Sequence, residues 1–134
     1  MGNTEEAFTF YQRVFGTEIT SITRMKDMPR MAGAPALQDS EKNLIMNIQL
    51  PITAGHVLMA TDMIESMGHN LTVGNNVTIS LDLDSEEEAE RIYEHLREGS
   101  PENWGNLAQM PWGAMWGSCE DRFGVRWMVS YAPA

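Results

Sequence analysis

The chain reads as an α+β domain of two βαβββ units with flanking helices, the first unit missing most of its leading strand. Three observations predict this. A helix is written twice: moving 82 positions along lays Ala7 on Ala89, Tyr11 on Tyr93 and Val14 on Leu96, with Gly16 and Gly99 closing the two copies. Runs of alternating apolar and polar residues accompany both helices, the pattern of strands with one buried face. Turn-rich joints then pair those runs into hairpins.

The first helix opens at Asn3, placed to cap the leading amides while Glu6 reaches back in a capping box. Ala7, Phe8, Tyr11, Val14 and Phe15 recur at helical spacing as a core stripe, and Gly16 is a natural stop. Glu18–Arg24 is a weaker strand. Met25–Asn43 carries two prolines and a glycine without regular pattern, either a long ordered excursion or a flap. Leu44, Met46, Ile48 and Leu50 then alternate with Ile45, Asn47 and Gln49, and Pro51–Gly55 turns into a partner strand, His56–Asp62.

Met63–Asn76 is a linker ending in Gly74-Asn75-Asn76. Beyond it Val77, Ile79, Leu81 and Leu83 alternate with Thr78, Ser80, Asp82 and Asp84 as a strand over Val77–Asp84. Ser85 caps the second helix with Glu88 at the third position, and Ala89, Ile92, Tyr93 and Leu96 make its stripe. Ala114–Glu120 and Val125–Tyr131 form a last hairpin around Asp121-Arg122-Phe123-Gly124. The expected organisation is one domain over 1–134, with a first unit over 1–64 and a second over 75–134. The second helix follows a full strand and the first follows only Met1-Gly2-Asn3. Either the recorded start is late or the sheet tolerates an incomplete edge.

At 134 residues, 43% hydrophobic and 21% charged, the composition is globular. A net charge of −10 repels nucleic acid and anionic membranes, so neither is an expected partner. No apolar run approaches the roughly 18 residues of a membrane span. A single cysteine, Cys119, has no internal disulfide partner and reads as a packed thiol in a reducing, cytoplasmic compartment.

Several segments in order resemble one family. They are Gly2-Asn3-Thr4-Glu5-Glu6-Ala7-Phe8 with Tyr11 and Phe15-Gly16, then Lys26-Asp27-Met28-Pro29, Leu58-Met59-Ala60-Thr61-Asp62 and Trp112-Gly113-Ala114, and the closing Asp121-Arg122-Phe123-Gly124-Val125-Arg126-Trp127. Together they resemble the vicinal oxygen chelate superfamily of glyoxalases, bleomycin-resistance proteins and dioxygenases, and within it the PhnB-like branch. The resemblance implies paired βαβββ units curled into a cupped sheet, a homodimer, and a small-molecule ligand in the cup. It also implies a leading strand that this chain lacks, and a divalent metal held by His and Glu side chains.

The metal set is poorly supplied. The strand after the linker offers Val77, Thr78 and Ser80 where a ligand is expected, and the last strand offers Trp127, Met128, Val129 and Ser130. Asn47 stands where relatives often carry a histidine, and a neutral amide is a weak ligand. His56, His69 and His95 read as surface residues, so no metal or other cofactor is expected. The acidic run Glu86–Glu88 and the pair Asp82 and Asp84 read as helix-end and strand-face charges rather than as an acid–base pair. What remains is a pocket. Asn47, Gln49, Thr78 and Ser80 alternate onto polar faces, and Met110, Trp112 and Trp116 are placed to wall it. These seven are the expected ligand-binding residues of a glyoxalase/bleomycin-resistance-type protein. The alternatives are a metal-dependent lyase, isomerase or dioxygenase, and a sequestering protein that holds a planar or apolar compound between tryptophans.

Overall fold

The computed structural model describes residues 2–28, 36–100 and 105–133. The chain groups into two compact units, one of residues 1–12 and 16–72, the other of residues 13–15 and 73–134.

The first unit holds helix α1 (Thr4–Phe15), whose last turn, Arg13–Phe15, groups with the second unit. Gly16 closes α1 at φ 66°, donating its N–H to the Gln12 carbonyl at 2.9 Å. That left-handed stop suits a residue without Cβ. The expected cap at the other end is absent: the Asn3 side chain makes no capping bond. Asp62 takes its place, with Oδ1 accepting the Thr4 N–H at 3.1 Å. A carboxylate is the stronger acceptor there, because helix N-terminal amides carry partial positive charge.

Strands β1 (Ser21–Arg24), β2 (Ile45–Pro51) and β3 (Val57–Ala60) form an antiparallel sheet in that order. The first and third are shorter than the alternation suggested. β2 also breaks the expected alternation. Thr23 pairs with Asn47 and Arg24 with Ile45, so Met46 is an extra residue bulged out of the ladder. Ile45, Ile48 and Leu50 are buried, whereas Met46 and Asn47 stand together half-buried. A bulge turns the residue sequence by one position and so re-aims every side chain beyond it. The hairpin turn after Pro51 carries Ala54 at φ 56° and Gly55 at φ 76°. Of the excursion over Met25–Asn43, residues 29–35 lie outside the described residues; the remainder includes 3-10 turns at Met25–Asp27 and Asp39–Glu41.

The second unit is β4 (Ile79–Asp82), α2 (Glu86–Leu96), β5 (Ala108–Gln109), β6 (Met115–Glu120) and β7 (Arg126–Tyr131). Its sheet order is β4-β7-β6-β5, with β4 parallel to β7 and the other pairs antiparallel. β4 starts two residues later than the alternation suggested. Its first ladder partner is Trp127; Val77 runs past the end of β7, and Val77 and Thr78 are both exposed, Val77 at 74%. Ser85 caps α2 as expected, its hydroxyl oxygen accepting the Glu88 N–H at 3.1 Å.

Helix α2 packs on β6 and β7. Its buried stripe of Ala89, Ile92, Tyr93 and Leu96 lies over the sheet face bearing Gly117, Cys119, Trp127 and Val129. Gly117 makes room for Tyr93: an added Cβ would meet the ring at 2.9 Å. The Tyr93 hydroxyl donates to the Ser118 carbonyl at 2.9 Å, with the Gly105 carbonyl at 3.2 Å. Burial raises the Tyr93 phenol above its ordinary range, and burial, with the Asp121 charge behind it, pushes the Cys119 thiol up to about 12. Cys119 is a buried core thiol, as expected of a packed cysteine.

Candidate functional site

The seven expected ligand-binding residues divide between the units. In the first, Asn47 and Gln49 come together on one face of β2, where Gln49 Nε2 donates to Asn47 Oδ1 at 3.2 Å. Ser21 and Thr23 of β1 and Met59 of β3 pair with them across the ladders and so rise on the same face.

In the second unit the pleat sets Ser80 and Trp116 on one sheet face, opposite the one α2 covers, with Met128 and Ser130 of β7 between them. Thr78 lies one residue before the strand. Met110 and Trp112 belong to the turn into β6, closed by the Met110 N–H on the Ala114 carbonyl at 2.8 Å and the Gly113 N–H on the Met110 carbonyl at 2.9 Å. Trp112 stands at its tip, 71% exposed.

A hollow of about 470 Å³ opens on the Asn47 face of the first unit. Four methionines line it, Met25, Met46, Met59 and Met67, with Ala60 and Ile64. Asn47, Thr61 and His69 are its polar members. The local backbone explains each. The β2 bulge delivers Met46 beside Asn47. Met25 follows β1 directly, its N–H on the Leu44 carbonyl at 2.9 Å. Met67 ends a 3-10 turn (Glu65–Met67), and Gly68 at φ 82° reverses the chain to bring His69 back over buried Ile64. His69 closes this loop twice: its N–H donates to the Ile64 carbonyl at 3.2 Å, and its Nδ1 accepts the Ile64 N–H at 3.0 Å. The Glu41 carboxylate ties the loop down by accepting the Ser66 N–H at 3.1 Å.

Methionine is unbranched, flexible and polarisable, so a wall of it moulds to apolar and aromatic surfaces. Reading by residue type missed this wall, although 11 methionines in 134 residues was a signal in plain view. His69 is exposed, as expected of a surface residue; its bond to the Ile64 amide is what its loop position did not show.

The donors of the described residues do not fit a divalent metal. Among the described residues no three of His, Cys, Asp and Glu gather where an ion could sit. The buried carboxylates are occupied: Glu41 by the Gln38 and Ser66 amides, Asp62 by the Thr4 and Ile45 amides, Asp121 by two amides and the Trp127 indole. Glu120 faces Arg126 at 3.8 Å. An imidazole that ligates through Nε2 must carry its hydrogen on Nδ1, whereas His69 Nδ1 accepts one. His95 has Nδ1 on the Arg91 carbonyl at 2.7 Å, which frees Nε2, but it stands on α2 without companions.

Comparisons with known proteins agree on the kind of fold. The family model described as Glyoxalase/Bleomycin resistance protein/Dioxygenase superfamily matches residues 1–129. Protein YjdN of Escherichia coli (strain K12) is 28% identical over 135 residues, covering 96% of this chain and 88% of its own. Among solved structures, protein PA1353 from Pseudomonas aeruginosa superposes with a TM-score of 0.71 at 30% identity, over 98% of this chain and 90% of that one. The PhnB protein from Bacillus cereus superposes with a TM-score of 0.69 at 23% identity, over 98% and 92%.

Proposed function

The chain belongs to the glyoxalase/bleomycin resistance/dioxygenase superfamily, and from that premise we propose that it is a binding protein for a small, largely apolar organic molecule. The molecule sits in the methionine-lined hollow of the first unit. The hollow itself carries this reading: about 470 Å³ is the size of a drug-like ligand site, walled by four thioethers with a few polar groups to orient the guest. Trp112, 71% exposed at a turn tip, offers less enclosure than Met59 and Met67, so the methionines and not Trp112 make the main contact. Asn47 orients the guest on the sheet face. No helix among the described residues is long and apolar enough to cross a membrane, and we take the protein as a cytoplasmic homodimer. Light scattering should return a mass twice that of one chain; a monomer at micromolar concentration removes that part of the reading.

The test uses the neutral fluorescent probe N-phenyl-1-naphthylamine. Wild-type protein should bind it saturably, one per chain. Met59→Glu and Met67→Glu should each weaken binding at least about tenfold, because each places a charge against an apolar guest. Both side chains are at least half exposed, so the fold should tolerate them. Unsaturable binding overturns the reading, and so does a loss of binding in Trp112→Ala with none in the methionine variants.

A further inference from the structure

We infer that His69 is a specificity-determining residue of this hollow and selects guests that carry a carbonyl-type hydrogen-bond acceptor. The inference rests on the reading above, that the hollow is the binding site. Its physical basis is the tautomer. Because Nδ1 accepts the Ile64 N–H at 3.0 Å, the ring hydrogen of the neutral imidazole lies on Nε2. His69 therefore meets a guest as a donor, with its ring held by the Ile64 N–H and its backbone held by the Ile64 carbonyl.

The neighbouring polar group agrees in sense. Asn47 Oδ1 already accepts from Gln49 Nε2, which leaves the Asn47 amide hydrogens for a guest. Thr61 differs. Its hydroxyl faces the Ile45 carbonyl at 3.3 Å and the Asp62 carbonyl at 3.2 Å, so its hydrogen is spent on backbone and only lone pairs remain. Two of the three polar groups thus donate, against a soft thioether wall that favours conjugated and aromatic surface. A flat molecule with an acceptor oxygen satisfies both. A hydrocarbon of the same size leaves the donors without partners once the guest has displaced their water.

Two probes separate this from general apolar binding. Prodan, a naphthalene with a ketone, emits at longer wavelength when its carbonyl is hydrogen-bonded, whereas N-phenyl-1-naphthylamine has no such acceptor. His69→Phe should weaken Prodan binding roughly five- to tenfold, the worth of one neutral hydrogen bond. It should also shift the bound emission to shorter wavelength, and N-phenyl-1-naphthylamine affinity should fall less than Prodan affinity, because losing the Nδ1–Ile64 bond loosens the loop for both probes alike. His69→Gln, which restores an N–H donor, should recover part of the Prodan affinity. Equal loss of both probes would assign His69 to shaping the loop and overturn the inference, as would unchanged Prodan binding and emission. If wild-type protein fails to bind N-phenyl-1-naphthylamine at all, it is the underlying reading that falls.

Discussion

Replacing Asp121 by alanine should lower unfolding free energy by about 3–4 kcal/mol, because it strands three donors at once, one buried and two part-buried. Asp121 is fully buried. Oδ1 accepts the Phe123 N–H at 2.8 Å and the Val125 N–H at 3.0 Å, and Oδ2 accepts the Trp127 indole N–H at 2.9 Å. Around this carboxylate the chain makes a tight reversal, with the Asp121 N–H on the Val125 carbonyl and Gly124 at φ 87°. One side chain therefore joins the β6–β7 turn to Trp127, a residue at the centre of the second unit's core with its ring 5.8 Å from that of Phe15. Asp121→Asn should cost about half as much, since its amide keeps one acceptor and turns a donor toward another donor. Urea melts followed by tryptophan fluorescence measure both. A double-mutant cycle with Trp127→Phe should show a coupling above about 1 kcal/mol. A loss below 1 kcal/mol in Asp121→Ala would mean that water satisfies these donors and that the turn is held by other contacts.

The same group shows what could be read from the sequence and what could not. The run Asp121-Arg122-Phe123-Gly124-Val125-Arg126-Trp127 was legible as a hairpin turn and as part of a family resemblance, yet neither reading explains why an aspartate opens it. The reason is a tertiary bond to an indole six residues on, which no periodicity reports. Elements whose signal is local were readable: both amphipathic helices, the glycine stop at Gly16, the Ser85 cap and the Asp121–Gly124 reversal. Strand ends were not, because an end is set by the partner. β4 starts at Ile79 opposite Trp127, close to the start of β7 at Arg126, and in the same register Val77 falls before β7 begins. β5, at two residues, is too short to show a period.

The candidate site was half legible for a related reason. Alternation correctly put Asn47 and Gln49 on one face, since both lie beyond the bulge on the same ladder. It put Met46 on the core side with Ile48, and the bulge opposite Thr23 and Arg24 reversed that. A bulge is a mismatch between two strands and leaves no mark in either alone. The far wall of the hollow, Met67 and His69, comes from a segment that reads only as linker. Its shape depends on Gly68 and on the Ile64 amide, contacts of short range but irregular form. Ser80 and Trp116 do share a face, as the pleat required, and the exposed turn around Trp112 was foreseeable only as a loop.

Asp62→Ala should cost about 2–3 kcal/mol, while Asn3→Ala at the nominal helix cap should cost less than about 0.5 kcal/mol. The two substitutions distinguish a local cap from a tertiary one. Asp62 is 3% exposed, and its two oxygens serve different elements: Oδ1 takes the Thr4 N–H at the start of α1, and Oδ2 takes the Ile45 N–H at 2.8 Å at the start of β2. Its own N–H returns to the Ile45 carbonyl at 2.8 Å, so Asp62, two residues beyond β3, completes a reciprocal pair with the first residue of β2. Alanine would keep that backbone bond and remove both carboxylate acceptors. The Ile45 amide is buried and has no water to turn to, whereas Thr4 lies nearer the surface, so most of the loss should fall on β2. Hydrogen exchange should therefore accelerate at Ile45 in the variant, and helix fraying at Thr4 should be the smaller effect. Asp62 also follows Thr61 in the wall of the methionine hollow, so N-phenyl-1-naphthylamine affinity should fall with β2 order in the same variant. If Asn3→Ala proves the more damaging of the two, the helix is capped locally and the assignment to Asp62 is wrong.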